Sequence, residues 1–204
     1  MDDRANWIRR HLTESIRVKQ QMIAECIDDI LAAADVIAEA FAAGNKLLLC
    51  GNGGSAADCQ HMAAEFTSRL TLDFVRPGLP AVALTCDSSF LTAYANDFDF
   101  AGVFARGVEA LGKPGDVLIG ISTSGNSGNV VQAVKQAEAI GMKTIALVGG
   151  KRGKLADLVD VAIAIPSTAT QHIQEAHLAV EHLICHFVER VLYSGTEETV
   201  SQAA

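Results

Sequence analysis

The stretch KLLLCGNGGSA, residues 46–56, decides the fold of this 204-residue chain. Its first half is a short, continuous apolar run, which is typical of a strand buried on both faces of a sheet. A glycine-rich turn follows and leads into a segment with helical periodicity. A strand that enters a helix through such a turn is the opening unit of a parallel sheet, so the sequence predicts an α/β fold.

The same alternation of apolar runs and helical segments continues along the chain. The predicted strands are residues 46–50, 81–85, 117–121, 144–148 and 161–165. The helices predicted between and after them are residues 56–70, 90–95, 100–111, 130–140 and 171–193. Because helices that join parallel strands cover both faces of the sheet, we expect a three-layer α/β/α sandwich of the flavodoxin or Rossmann type, with a five-stranded parallel sheet.

A helical segment precedes this domain. Residues 5–43 contain neither proline nor glycine, and apolar residues recur at helical spacing until Gly44 and Asn45 end the pattern. One long helix, or two, is more than a small sheet needs for cover, so we expect part of the segment to form an oligomer interface. The predicted organisation is a helical oligomerisation segment (1–44), the α/β domain (45–194) and a loose tail (195–204).

The charge of the chain narrows its possible partners. Sixteen lysines and arginines against 24 aspartates and glutamates give a formal net charge of -8, the wrong sign for a protein that binds the nucleic-acid backbone. No apolar stretch is long enough to span a membrane, and no secretory signal is visible at the N-terminus. The five cysteines are scattered, as in a reduced cytoplasmic protein, and only Cys59 lies beside a candidate site.

The glycine-rich turn itself, Gly51 to Ser55, is the first candidate site. Glycines let the backbone approach a ligand closely, and the following helix offers free N–H groups to an anion. The run also matches a dinucleotide fingerprint, but no acidic residue follows at the distance of ~20 residues that a ribose hydroxyl requires. The turn therefore indicates an anion site without a nucleotide, and a simple tight turn is the alternative.

A serine-rich loop, Ser122 to Asn129, follows the third predicted strand and leads into another helix. Four hydroxyl groups and several amides at a helix N-terminus form a dense set of neutral donors for a phosphate dianion. No lysine follows in the arrangement of a nucleotide P-loop. One serine would suffice as a helix cap, so the number of hydroxyls favours phosphate binding over capping alone.

Two helices carry titratable side chains at helical spacing. His61 and Glu65 stand four residues apart and share one face, and the last helix carries Gln174, His177, His182 and His186. Such polar groups on apolar helices are costly unless they are partnered or lie at a surface. A surface ion pair is the alternative for His61 and Glu65, and pairs with metal-chelating spacing also arise by chance.

Together these motifs resemble the phosphoheptose isomerases, which are sugar isomerase (SIS) domain proteins. The resemblance extends from about residue 10 to residue 193 and keeps the order and approximate spacing of every motif. It rests on the glycine-rich turn, the serine-rich loop, the two helical clusters above and two further short motifs, Asn96-Asp97 and Ile173-Gln174-Glu175. The serine-rich loop alone marks the wider SIS superfamily, and the helical clusters make the assignment more specific.

The resemblance implies an activity and a set of site residues. Family members are homotetramers that interconvert sedoheptulose 7-phosphate and D-glycero-D-manno-heptose 7-phosphate through an enediol, in heptose precursor biosynthesis. Glu65 and His182 match the acid/base pair. Positions matching substrate contacts are Asn52, Gly53, Gly54, Ser55, Glu65, Asn96, Asp97, Ser122, Thr123, Ser124, Ser127 and Gln174. Positions matching a zinc site, with one ion per subunit, are His61, Glu65, Gln174 and His182.

Three other functions fit the same motifs. SIS proteins of similar length also act as non-catalytic adaptors that associate with replication initiators. Those adaptors have lost the acid/base residues, which this chain retains. An isomerase of another phosphosugar and a bare sugar-phosphate sensor are the remaining alternatives. Gln171 and His172 stand where the family often has an acidic and a basic residue, which leaves the exact sugar preference open.

Overall fold

A computed structural model of the chain describes residues 3–193. Its centre is a five-stranded, all-parallel sheet in the order β2-β1-β3-β4-β5. The strands are β1 (Leu47–Gly51), β2 (Ala81–Ala83), β3 (Val117–Ser122), β4 (Lys143–Gly149) and β5 (Val161–Ile165). The predicted parallel α/β sheet is thus confirmed.

Eight α-helices and one 3-10 turn (Phe100–Gly102) surround the sheet within the described residues. The helices are α1 (Asp3–Glu25), α2 (Ile27–Ala42), α3 (Gly54–Thr67), α4 (Ser88–Asp97), α5 (Val103–Leu111), α6 (Gly128–Ile140), α7 (Gly153–Ala156) and α8 (Thr170–Tyr193). Successive residues of a strand face opposite sides, so Leu47 packs with α2, α3 and α8 whereas Leu48 packs with α5, α6 and α7. The three-layer sandwich is therefore confirmed.

The N-terminal segment forms two helices that meet at the buried Cys26. Helix α2 packs on α8 and β5 and contributes Ile37, which is fully buried, to the core. Helix α1 is attached more lightly, since only Ser15, Val18 and Met22 are buried along it. The proposed division at residue 44 stays a prediction, and the predicted tail (195–204) lies outside the described residues.

An apolar surface remains exposed along α1 and α2. Its large side chains are between 41% and 68% exposed and are Trp7, Ile8, Leu12, Ile16, Ile23, Ile27 and Leu31. A groove of about 490 Å³ lies between these helices and Leu183 and Phe187 of α8. Side chains of this size in one contiguous stripe are typical of a protein-protein interface.

Two differences from the predicted elements have a clear physical reason. Strand β2 ends at Ala83 rather than at Thr85, because the chain turns after the Leu84 N–H donates to the Leu49 carbonyl at 2.9 Å. Helix α7 was not predicted, since its four residues are too few to show a helical period. Across residues 3–193, every helix is too short or too polar to cross a lipid bilayer.

Candidate active site

The two candidate loops meet at one edge of the sheet. Strands β1 and β3 pair directly, with Gly51 opposite Ile121, so the glycine-rich turn and the serine-rich loop leave the sheet side by side. The strand order reverses at this pair, because β2 lies on one side of β1 and β3 lies on the other. Such a reversal opens a crevice at the carboxyl ends of the strands, where open α/β sheets bind their ligands.

The hydroxyl groups of the serine-rich loop converge. The Ser122 Oγ atom lies 2.9 Å from the Ser127 Oγ atom and 3.5 Å from the Ser124 Oγ atom. Ser127 occupies the N-cap position of α6, yet its side chain makes no capping hydrogen bond. The N–H groups of Gly128 and Asn129, the first two of α6, therefore stay available to an anion, together with the favourable end of the helix dipole.

Helix α7 supports this loop from outside. The Leu155 N–H donates to the Gly125 carbonyl at 2.9 Å, and the Lys154 N–H donates to the Asn126 Oδ1 atom at 3.1 Å. Gly125 has φ = 65°, and a Cβ atom there would lie 1.9 Å from the Arg152 carbonyl oxygen. The loop adjoins a cavity of about 310 Å³ that is lined in part by Ser124 and Lys151.

Gly125→Ala is expected to weaken binding of inorganic phosphate by about 10- to 100-fold, which corresponds to the ~1–3 kcal/mol cost of a strained backbone position. The added methyl group would push the loop away from Arg152, and a backbone carbonyl cannot move aside as a flexible side chain would. Titration calorimetry measures the effect. Gly141→Ala is the matched control, because its φ of 88° makes an alanine similarly strained at the other end of α6, away from the loop. Equal phosphate affinity in both variants would contradict this placement of the anion site.

A reciprocal pair of amides joins the two loops. Asn52 Nδ2 donates to Asn129 Oδ1, and Asn129 Nδ2 donates to Asn52 Oδ1, both at 2.8 Å. Asn129 is buried and its Oδ1 atom also accepts from the Val130 N–H, so it holds Asn52 in a fixed orientation. This role of Asn129 is not visible in the sequence, because a contact between residues 77 positions apart leaves no local signal.

Gln174 packs directly over the glycine-rich turn. A Cβ atom on Gly54 would lie 1.8 Å from the Gln174 Nε2 atom, so a side chain at this position would displace the Gln174 amide. The same amide donates to the Asp58 Oδ2 atom at 3.4 Å. Burial raises the pKa of Asp58, and the hydrogen bond from Gln174 opposes that shift. Gln174 thus belongs with the glycine-rich turn, and its assignment as a metal ligand stays a prediction.

Helices α3 and α8 bring His61, Glu65 and His182 together. The two imidazole Nε2 atoms lie 2.8 Å apart, and the His61 Nε2 atom lies 3.6 Å from the Glu65 Oε1 atom. The Glu65 Oε2 atom is buried and has no hydrogen-bond partner within residues 3–193. A cation or a substrate hydroxyl would satisfy this oxygen, so two imidazoles and a carboxylate form a fitting donor set for Zn²⁺.

A second group of metal-capable side chains, His11, His172 and Glu175, is already satisfied. The His172 Nδ1 atom lies 3.0 Å from the Glu175 Oε1 atom. The pKa of Glu175 is lowered overall: burial raises it, but hydrogen bonds from Ser15 and His172 and the charge of Lys19 lower it. A carboxylate that has these partners has no need of a metal ion, in contrast to Glu65.

The remaining predicted contacts divide into two groups. Ser55 is buried at the start of α3, beside the glycine-rich turn, and Thr123 lines the same cavity as Ser124. Asn96 and Asp97 are exposed at the end of α4 and hydrogen-bond to each other at 2.9 Å. Within residues 3–193, no hydrogen bond joins this pair to either loop, so its role in substrate binding stays a prediction.

Two other titratable groups of α8, His177 and Glu181, lie in the core, whereas His186 is exposed. His177 is fully buried, and burial lowers its pKa to about 4 while its Nε2 atom lies 3.2 Å from the Val148 carbonyl. Glu181 was missed by the sequence analysis; burial, and then the charge of Asp58, raise its pKa to about 8. Cys59, singled out from the sequence, is fully buried with a raised pKa, whereas Cys86 is the exposed thiol.

Comparisons with known proteins place the chain in a class. The family model of the SIS domain matches residues 10–149, which include both loops, His61 and Glu65. The fold and the site thus define a SIS-domain protein.

Individual relatives are more specific. The phosphoheptose isomerase of Roseiflexus sp. is 50% identical over 192 residues, covering 94% of this chain and 96% of that protein. The solved phosphoheptose isomerase of Neisseria gonorrhoeae superposes with a TM-score of 0.85 at 44% identity, covering 90% of this chain and 97% of that one. The Francisella tularensis phosphoheptose isomerase gives a TM-score of 0.87 at 34% identity, covering 91% of this chain and 98% of that one. The chain belongs to the phosphoheptose isomerase family.

Proposed function

We propose that the protein isomerises sedoheptulose 7-phosphate to D-glycero-D-manno-heptose 7-phosphate. One observation carries the proposal: the Glu65 carboxylate and the His182 imidazole lie in one cluster. Glu65 is on α3, which begins at the glycine-rich turn, and His182 is on α8, which packs against α3. An aldose-ketose isomerase needs two such groups beside a phosphate anchor. Membership of the phosphoheptose isomerase family supports the choice of sugar.

The phosphate group would be held at the ends of β1 and β3. Ser122, Ser124 and Ser127 offer converging hydroxyls, and Ser55 lies at the start of α3 beside them. The N-termini of α3 and α6 add N–H groups and two favourable helix dipoles. Because these donors are neutral and fixed, they orient the sugar without a lysine, so that its carbonyl end extends along α3.

Glu65 and His182 would divide the proton transfers. In our assignment, Glu65 takes the proton from C1 of the ketose and returns it to C2, while His182 carries a proton from the O1 hydroxyl to the O2 oxygen. The intermediate is an enediol, and each group contributes roughly 10²–10⁴-fold to the rate. Asn52, Gly53, Gly54 and Gln174 would bind the sugar hydroxyls from the glycine-rich turn.

A zinc ion fits the same cluster. His61, Glu65 and His182 would hold it, with Gln174 as the fourth predicted ligand, and the unpartnered Glu65 Oε2 atom supports this assignment. When bound, the ion would polarise the sugar carbonyl.

We also propose a cytoplasmic homotetramer. The exposed apolar stripe on α1 and α2 supports an assembly that would remove Trp7, Leu12 and Ile16 from water. Asn96 and Asp97 are exposed and form no hydrogen bond with either loop within residues 3–193. In the tetramer they would contribute to the site of a neighbouring subunit. The five cysteines are unpaired, which supports a reducing compartment.

The test of the activity is NMR of the purified protein with sedoheptulose 7-phosphate in deuterated water. We expect an aldoheptose 7-phosphate with solvent deuterium at C2, because the proton held by a carboxylate exchanges with water. A folded protein that neither turns over nor exchanges this ketose would contradict the proposal. Hexose and pentose phosphates would be tested next, and inactivity on all of them would favour a non-catalytic adaptor.

Metal titration distinguishes the two histidine clusters. We expect one Zn²⁺ per chain, measured by competition with a chromophoric chelator. His61→Gln should lose this ion, because it removes one of three converging ligands. His172→Gln is the matched control and should keep it, since Glu175 already has partners. Two ions per chain would contradict the conclusion that the second cluster needs no metal, and loss of zinc in His172→Gln alone would show that the assignment is reversed.

A further inference from the structure

Arg76 occupies an unusual position for a charged side chain. It lies in the irregular segment between α3 and β2, and its side chain is 0% exposed, as is that of its partner Glu189 on α8. A buried guanidinium is costly unless its donors are satisfied. Both groups lie outside the phosphate loops and outside the predicted ligand set, so the proposed chemistry gives them no task.

The donors of Arg76 close the end of helix α3. Its Nη2 atom donates to the Glu65 carbonyl at 2.7 Å, and its Nη1 atom donates to the Phe66 carbonyl at 2.7 Å. The last four carbonyls of a helix have no partner within the helix, and a positive charge there interacts favourably with the helix dipole. Arg76 therefore prevents fraying at the turn that carries the Glu65 side chain.

The same guanidinium reaches the second helix of the site. Its Nε atom donates to the Glu189 Oε2 atom at 3.1 Å. Glu189 lies seven residues after His182, two helical turns along α8 on the same face. The Glu189 Oε1 atom is buried without a hydrogen-bond partner in the described part of the chain, so this carboxylate depends on Arg76. One side chain thus bonds to the helix that bears Glu65 and to the helix that bears His182.

We infer that Arg76 is a positioning residue: with Glu189, it sets the separation of α3 and α8 and hence the alignment of Glu65 with His182. The inference rests on the proposed isomerase function. The planar guanidinium of Arg76, with its several N–H donors, is essential to this role. Lysine supplies one point charge and cannot bond to two carbonyls and a carboxylate in fixed directions. A displacement of about 1 Å at a reacting group costs ~10²-fold in rate.

Arg76→Lys should therefore lower kcat by about 10- to 100-fold and leave KM within about threefold. The phosphate donors are remote from the change, because Ser55 and Glu65 are separated by about 15 Å along α3. Glu189→Gln should lower kcat less, since it keeps the acceptor for the Nε–H group and leaves the bonds to α3 in place. Zn²⁺ affinity, measured by chelator competition, should fall together with kcat, as is common when a partner of a ligand is lost.

Asp116→Asn is the control for a merely structural role. Asp116 is also fully buried and pairs with Lys46, but it lies at the amino end of β3, the opposite edge of the sheet. All three variants are compared at a temperature where circular dichroism shows them folded. The inference is overturned if folded Arg76→Lys keeps its kcat, or if Asp116→Asn loses as much kcat. Inactivity of the unmodified protein would instead contradict the proposed function, and zinc affinity of the variants would then decide the role of Arg76.

Discussion

Glu65→Gln should lower kcat for sedoheptulose 7-phosphate by about 10³-fold while KM changes little. The substitution keeps the size of the side chain and removes the carboxylate that we propose accepts the carbon-bound proton. It leaves the proposed phosphate donors unchanged, because they lie at the ends of β1 and β3. Steady-state kinetics measures both constants, and deuterium incorporation at C2 should fall in step with kcat.

Glu175→Gln is the matched control for this variant. Glu175 is also a glutamate paired with a histidine on a helix, but its partner is His172 and its cluster lies outside the proposed site. We expect its kcat to stay within about threefold of the unmodified protein, as for most substitutions outside a site. Retention of full activity in Glu65→Gln would overturn the assignment of the base, and His182 would then be the candidate for that role.

Ser122→Ala combined with Ser124→Ala should raise KM for the phosphorylated sugar by about 10²- to 10⁴-fold. Each lost hydrogen bond to a charged phosphate is worth ~1.5–3 kcal/mol, and a factor of 10 corresponds to ~1.4 kcal/mol. The two hydroxyls lie 3.5 Å apart at the end of β3, where a single phosphate group could contact both. Once the sugar is bound, Glu65 and His182 are unchanged, so kcat should fall far less than the affinity.

The control for the serine variant is a change of substrate. Free sedoheptulose lacks the phosphate group, so the double variant and the unmodified protein should process it equally slowly. A variant that is impaired on both sugars would have lost more than its phosphate donors. An unchanged KM for the phosphorylated sugar would place the anion elsewhere in the crevice.

The sequence was sufficient for the fold because each buried strand is a continuous apolar run. Each end of strands β1, β3, β4 and β5 lies within one residue of the predicted end. The short elements were less predictable. Helix α7 begins after Arg152, a residue with φ = 58°, and such a backbone position is set by the neighbouring loop rather than by periodicity.

The site was predictable only where chemistry shows in local patterns. Runs of glycine or serine and a histidine four residues before a glutamate are visible in one dimension, and the resemblance to a known family connected them. The roles of Asn129 and Arg76 were not visible. Asn129 bonds to Asn52, which is 77 positions away in the chain, and Arg76 bonds to Glu189, which is 113 positions away. Only the packing of α3, α6 and α8 brings these partners together.

The distribution of thiols makes the chain convenient for site-specific labelling. Cys26, Cys50, Cys59 and Cys185 are buried, and burial raises the pKa of each, which suppresses the reactive thiolate. Cys86 is exposed between β2 and α4. A maleimide dye therefore attaches at one position near the carboxyl edge of the sheet. Its fluorescence can report ligand binding without any cysteine being replaced.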